Sequence, residues 1–435
     1  MATRNRNSRL TEIFRRNRDG AKTGVYSVCS AHPLVIRAAL ELARDRRQIA
    51  VVEATCNQVN QHGGYTGMTP GGFADLVRAM AVDVGLPSDD LVLGGDHLGP
   101  QPWRNLSTAD AMASAVAMVK AYARAGFGKL HLDCSMPCAD DPVALTDLVI
   151  AERAARLALA AEAYAPETVS PVYIVGTEVP APGGMGEGHA IHPTLPSAVH
   201  KTWHAHRIAF DEVGLGDAFS RVAGIVVQPG LDFGNDAIVH FVPQGAVELA
   251  ASVLPLGEAV FEAHSTDYQT PGTYTSLIAQ HFAILKVGPA ATFALREAIY
   301  ALDNLARELP GWQPTFAVRT ALEAAMCRNP THWASHYGGN AQRQAYLRHF
   351  SFSDRLRYYW TEPEVAHSVA CLFEFLEAGE LPLPLISQYF PQHWVAAAAG
   401  NIAPKATALC IATVQMALAP YADACGNHAA VLLER

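Results

Sequence analysis

Residues 91–97, LVLGGDH, set a carboxylic acid beside an imidazole at the end of an apolar run. If that run is a strand of a closed parallel barrel, Asp96 and His97 stand at its C-terminal rim, the end at which such barrels do chemistry. Together they offer a proton carrier next to a metal ligand, the minimum needed to make and stabilise an enolate. An isolated DH pair also arises structurally, with Asp capping the next turn and His filling a polar niche. The other strand ends must decide between the two.

Seven further segments share the pattern of a short β-branched run ending in polar or metal-capable residues: VYSVCSAHP (25–33), IAVVEATCNQ (49–58), KLHLDCS (129–135), VYIVGTE (172–178), GIVVQPG (224–230), AVFEAHSTD (259–267) and ILKVGPA (284–290). Between them, stretches such as 34–46, 72–85, 107–125, 143–164, 237–253 and 289–308 repeat apolar residues at three- and four-residue spacing, which predicts helices. Strands apolar on both faces alternating with helices point to an α/β fold, a (β/α)8 TIM barrel. An open doubly wound sheet is the other arrangement of such units, but no strand-to-helix turn shows GxGxxG spacing.

Read at the rim, the strands contribute Glu53, Asn57 and Gln58, then Asp96 and His97, then Asp133 and Ser135, then Glu178, then Gln228 and Asp232, and finally His264, Ser265 and Asp267. So many polar groups are costly in a packed interior and natural around a solvated pocket. His97, Glu178 and His264, on three strands, match the ligand set of a catalytic zinc with an open position. The glycine-bearing stretches 57–70 and 176–189, the latter with Glu187, read either as loops over the rim or as structural turns. At 284–290, Gly288 precedes a helix start, a serviceable phosphate site, though a structural glycine reads the same way.

The chain of 435 residues is too long for one barrel. The division expected is an N-terminal arm or helix over 1–20, the barrel over 21–310, and a helical C-terminal module over 311–435 containing PEVAHSVACLFEFLEAG and ATALCIATVQMALAPYA. A net charge of −9 gives no general attraction to nucleic acid or anionic membrane. The arginines before residue 19 lack a signal-peptide apolar core, and apolar runs stop short of a membrane span. Eight cysteines in so long a chain suit free thiols in a reducing cytoplasm; Cys134 and Cys138 have CxxxC spacing but no second pair to complete a structural zinc site. The 50% hydrophobic content allows a large buried interface, hence a homo-oligomer or a complex.

Nearly end to end, the chain resembles the GatZ/KbaZ family, companion subunits of bacterial class II D-tagatose-1,6-bisphosphate aldolase. The resemblance is carried by EATCNQVNQHGGYTGMTP, GGDHLGPQPW, KLHLDCSMPC, VGTEVPAPGG, VVQPGLDFG, HSTDYQTP and FSFSDRLRYYW (350–360). It implies a TIM barrel, hexose-phosphate metabolism in the cytoplasm, and either a stabilising partner of an aldolase subunit or a C4-epimerase of ketohexose 6-phosphates. A sugar-phosphate sensor, with the pocket but no turnover, is a third reading. An older kinase label for the family finds no GxxxxGK[ST] loop and no protein-kinase motif set here.

Set beside catalytic class II aldolases, the resemblance makes Asp96 the proton carrier, His97 and His264 metal ligands, and the Glu178 segment a counterpart of theirs. Two departures follow. Gln228 stands where those enzymes carry another zinc histidine, and Ser265 to Tyr268 replace a glycine-rich turn that cradles a C1 phosphate. The aspartate in that turn adds a repelling charge, which favours a ketose bearing only the distal phosphate. The expected chemistry is a metal-assisted retro-aldol epimerisation of D-tagatose 6-phosphate to D-fructose 6-phosphate, with Asp267 or Glu53 as second acid/base. Arg355 is the expected phosphate partner, since guanidinium binds phosphate bidentately.

Overall fold

The computed structural model describes residues 7–179, 184, 191–312 and 317–426. Each of the eight β-branched runs forms a strand: β1 Val25–Cys29, β2 Ala50–Thr55, β3 Leu91–Leu98, β4 Lys129–Leu132, β5 Val172–Val175, β6 Val222–Val227, β7 Val260–Ala263 and β8 Ile284–Val287. All neighbours pair in parallel, and β1 pairs with β8 as well as with β2, so the sheet closes on itself. This is a TIM barrel.

Helices begin where the sequence supplies a start signal. Thr69, Ser107 and Thr146 accept first-turn N–H groups at the helices Pro70–Asp83, Thr108–Arg124 and Asp147–Tyr164. Proline opens the helices at 33, 70, 196, 271, 289 and 363, where its missing N–H costs no intrahelical bond. The expected helix over 237–253 is broken. Ile238–Val239 pairs with Asp232–Phe233 as a short antiparallel ribbon, Pro243 opens a 3-10 turn, and only Val247–Ser252 is α-helical. The Gln269 side chain holds the preceding stretch extended, accepting from Phe241 N and donating to Val239 O.

Strand alternation stacks three layers inside the barrel. The N-terminal end is apolar, with Val51, Val92, Val260 and Ile284 among its residues, and the helix Ser8–Arg18 closes it from below with Leu10, Ile13 and Phe14. Two residues further along β2, β7 and β8 come Glu53, Glu262 and Lys286, with Lys129 from β4, all buried. Two residues beyond that, at the mouth, stand Thr55, His131 and His264, with Asp96 on β3. Gly94 is required beside the middle layer, since a Cβ there would lie 2.6 Å from Glu53 Oε1.

The C-terminal residues do not stand apart from the barrel. The helix Ala406–Ala424 packs against Pro33–Arg46, Pro289–Arg307 and the nine-residue strand-7 helix Pro271–Ala279. Its Leu409, Val414 and Leu418 belong to one apolar cluster with Val35, Leu285 and Leu295 of the barrel. Gln48 donates to Ala422 O and Gly426 O, and the Tyr421 hydroxyl donates to Thr266 O at 2.9 Å. A shared core predicts that Leu409→Ala, at a fully buried position, lowers unfolding free energy by about 2–5 kcal/mol. In urea titrations, probes in the barrel and in the C-terminal helix should shift together; a shift confined to the tail would show two independent units.

Candidate active site

A cavity opens at the C-terminal mouth of the barrel. Asp96, His97, His264 and Lys286 line it together with Thr55, Asn57, Gln58 and Tyr65, and Arg357 and Tyr358 enter from beyond the barrel. Strict alternation would send Asp96 and His97 to opposite faces of β3. They share the cavity because His97 has φ 49° and the pairing of β3 with β4 slips between Gly95 and Leu98. Ser265 repeats the device after His264 with φ 54°. Such left-handed non-glycine residues are strained, and strain of this kind concentrates at functional sites.

Below the mouth lies a buried ionic network. Lys129 Nζ is 2.7 Å from Glu53 Oε1 and 2.6 Å from Glu262 Oε2, while Lys286 Nζ contacts Glu53 Oε2 and lies 2.9 Å from Asp96 Oδ1. Burial opposes the charge on Lys286, yet Asp96, Cys29 and the glutamates hold its pKa well above the usual lysine value. Burial likewise works against ionised Asp96, but His97, Lys286 and His131 together hold it well below the ordinary carboxylate range. Asp96 is therefore an anion with one oxygen, Oδ1, fixed by Lys286 and by His131 Nδ1 at 2.9 Å. Its Oδ2 lies 3.7 Å from His97 Nε2.

Three imidazoles gather around this carboxylate, tilted or edge-on to one another, with ring centroids 5.0, 5.0 and 5.2 Å apart for His97–His131, His97–His264 and His131–His264. Each ring has one nitrogen on a carboxylate: His97 Nδ1 on Asp133 at 2.8 Å, His131 Nδ1 on Asp96, and His264 Nε2 on Glu262 at 2.9 Å. A carboxylate only accepts, so the facing nitrogen carries the proton. That is the carboxylate–histidine arrangement typical of metal ligands. On His264 the other nitrogen keeps its lone pair, whereas on His97 burial is outweighed by Asp96 and Asp133, which favour the charged ring. His131 Nδ1 also faces the backbone N–H of His97 at 3.2 Å. His131 Nε2 is fully buried without a hydrogen-bond partner. Burial pushes His264 down to about 4, against the pull of Glu262, so its ring is neutral.

Asp96, His131, Glu262 and His264 each present a ligand atom, all within 4.8 Å of one another. Three carboxylates (Glu53, Asp96 and Glu262) face two ammonium groups (Lys129 and Lys286), leaving one carboxylate in excess. A cation matches that excess and satisfies the orphaned nitrogen of His131. The donor set therefore fits a metal.

Other residues singled out in the sequence have different placements. Glu178 is exposed and outside this cluster, and residues 180–183 and 185–190 of its loop, Glu187 included, lie outside the described residues. Gln228 is held in its own turn, where Oε1 accepts from Gly230 N and Leu231 N. Asp133 orients His97 and is itself held by the Ser135 amide and hydroxyl. Glu53 is locked between two lysines. Asp267 lines the cavity, but its Oδ1 accepts from Gly288 N at 3.1 Å and Ala290 N at 2.8 Å, at the start of the helix Pro289–Arg307. Burial raises Asp267 to about 6 despite those amides. Asn57 and Gln58 line the wall, with Gln58 Oε1 on Thr55 N. Arg355 is buried outside the cavity, donating to His332 O, whereas Arg357 lines it.

The sequence model of the family described as D-tagatose-1,6-bisphosphate aldolase subunit GatZ/KbaZ-like matches residues 10–426. The chain belongs to the GatZ/KbaZ-like family. It is 48% identical to a protein from Sinorhizobium meliloti 1021 described as a "probable tagatose 6 phosphate kinase", with a TM-score of 0.85 over 92% of this chain and 100% of that one. The fructose-bisphosphate aldolase of Campylobacter jejuni is a distant match, at 14% identity and TM-score 0.45 over 96% of this chain and 94% of that one. The YdjI aldolase of Escherichia coli K12 is similarly distant, at 8% identity and TM-score 0.41 over 82% and 98%. Neither distant match bears on the assignment. Membership in the GatZ/KbaZ-like family places the chain in tagatose-pathway sugar-phosphate metabolism. Among the described residues no helix is long and apolar enough to cross a membrane.

Reading only the strand ends overlooked Lys129, His131, Glu262, Lys286 and Arg357. The signal for four of them was present as polar residues spaced by two, in K-L-H-L-D and E-A-H and at the single lysine of ILKV. The cluster predicts that this GatZ/KbaZ-like protein takes up about one divalent ion per chain by elemental analysis. His131→Ala should weaken binding by at least about 10–100-fold, the range that even outer-shell changes reach; unchanged affinity would exclude His131 as a ligand.

Proposed function

We propose that the chain is a metal-dependent, aldolase-like epimerase of ketohexose phosphates, interconverting D-tagatose 6-phosphate and D-fructose 6-phosphate at C4. The observation that carries this reading is Asp96, an ionised carboxylate with one oxygen fixed and the other facing the imidazole cluster at the cavity floor. His131, Glu262 and His264, with His97 alongside, are the residues that would hold the metal, which leaves Asp96 Oδ2 for proton transfer. When bound, a divalent cation, zinc by its histidine-rich donor set, supplies Lewis acidity toward a carbonyl and its neighbouring hydroxyl.

Asp96 Oδ2 accepts the C4 hydroxyl proton of tagatose 6-phosphate as the C3–C4 bond breaks, and the bonding pair stays on C3. The fragments are the enediolate of dihydroxyacetone and glyceraldehyde 3-phosphate. If the aldehyde presents its other face before the bond re-forms, the C4 configuration inverts. Arg357 takes the phosphate role expected of Arg355, because it lines the cavity and Arg355 does not. Asp267 supports a monophosphate substrate: its carboxylate already sits on the helix-start amides where barrels of this kind often hold a phosphate.

A second reading is a stabilising subunit of D-tagatose-1,6-bisphosphate aldolase, favoured by the family's description as a subunit. A sugar-phosphate sensor would need the same pocket without turnover. With a divalent metal and no partner chain, the wild type is expected to interconvert the two 6-phosphates. Asp96→Asn should keep fold and assembly while turnover falls by about 10²–10⁴-fold. A metal-loaded wild type inert on both sugars, yet raising the yield of a co-expressed aldolase subunit, would establish the subunit reading instead.

A further inference from the structure

Inverting C4 places the C4 oxygen on opposite sides in the two epimers, so a proton carrier is needed on each side. Asp96 serves one. Glu53 is locked between Lys129 and Lys286, and Asp267 is bound by two helix-start amides. Among the described residues, the part of the cavity wall that comes from beyond the barrel and its loops is the segment carrying Arg357 and Tyr358.

We infer that Tyr358 is the second proton carrier, serving the C4 oxygen of the epimer that Asp96 does not serve; this rests on the retro-aldol reading. Its hydroxyl accepts from Arg357 Nη2 at 3.1 Å, and that guanidinium also lies over its ring, 4.6 Å from the centroid. His332 stacks on the ring at 4.7 Å and Tyr65 packs edge-on at 4.6 Å, fixing its plane at the cavity. Burial disfavours a tyrosinate there, yet Arg357 and Arg355 outweigh it and lower the pKa of the hydroxyl below its ordinary value. Arg357 thus has two tasks, holding phosphate and stabilising the phenolate.

The proton inventory closes. In the forward direction Asp96 gains the proton of the tagatose C4 hydroxyl, C3–C4 breaks and re-forms on the other aldehyde face, and the new C4 oxygen takes the Tyr358 proton. Protonated Asp96 and the Tyr358 phenolate then return to their starting states by one net proton transfer through solvent in the cavity. The reverse reaction uses the same groups with roles exchanged.

The test runs in the cleavage direction, with metal-loaded protein and tagatose 6-phosphate or fructose 6-phosphate in turn, the initial release of glyceraldehyde 3-phosphate being read by a coupled dehydrogenase. Tyr358→Phe should slow release from fructose 6-phosphate relative to tagatose 6-phosphate by about 10²-fold or more, and Asp96→Asn should shift that ratio the other way. A Tyr358 that only shapes the cavity would slow both together, and an unchanged ratio in Tyr358→Phe overturns the inference. A wild type that neither cleaves nor interconverts the two sugars, while binding metal, overturns the retro-aldol reading and the inference with it.

Discussion

Charges sealed inside a barrel must be balanced within it, and in this protein that requirement organises the site. Glu53, Glu262 and Lys129 are fully buried, with Lys286 almost so, where an uncompensated charge would be prohibitively costly. Lys129 bridges the two glutamates and Lys286 links Glu53 to Asp96. From that follow the ionised state of Asp96, its contact with His131 Nδ1, and the anchoring of His264 through Glu262. The carboxylate left over and the unpartnered His131 Nε2 make the layer fit for a cation.

The second requirement is a roof. A parallel barrel exposes its C-terminal mouth to loops, and much of the cover here comes from the segment around Arg355–Tyr359, delivered by an extension whose last helix packs into the barrel's own helical layer. Backbone strain aims side chains at the interior from both sides. His97, Ser265, Tyr268 and Asp354 all have positive φ, and the first three adjoin or form the floor while Asp354 begins the turn that presents Arg357. Rigid positioning of this kind suits chemistry that depends on which face of a small aldehyde meets its partner.

The barrel was legible because eight β-branched runs fall at regular intervals and each needs only to be short and apolar to declare itself. Asp96, His97 and His264 were legible because they follow such runs directly. Glu178 and Gln228 were chosen by position too, but a residue just past a strand can turn either way, and the Gln228 amide oxygen satisfies two backbone N–H groups in its own turn. The interior residues were obscured for the opposite reason: Lys129, Glu262 and Lys286 interrupt apolar strands, and their charges make sense only once closure brings β2, β4, β7 and β8 around one axis. Arg355 and Arg357 differ by two positions in a 3-10 turn, and no periodicity tells which of them meets the cavity.

The account turns on the claim that the imidazole and carboxylate layer is a metal centre. The most direct measurement is anomalous diffraction from crystals of the full chain grown with zinc or cobalt. It should place a single strong peak within bonding distance, about 2.0–2.2 Å, of His131 Nε2 and the neighbouring ligands at the cavity floor. Full anomalous signal at surface sites with none beside His131 would contradict it.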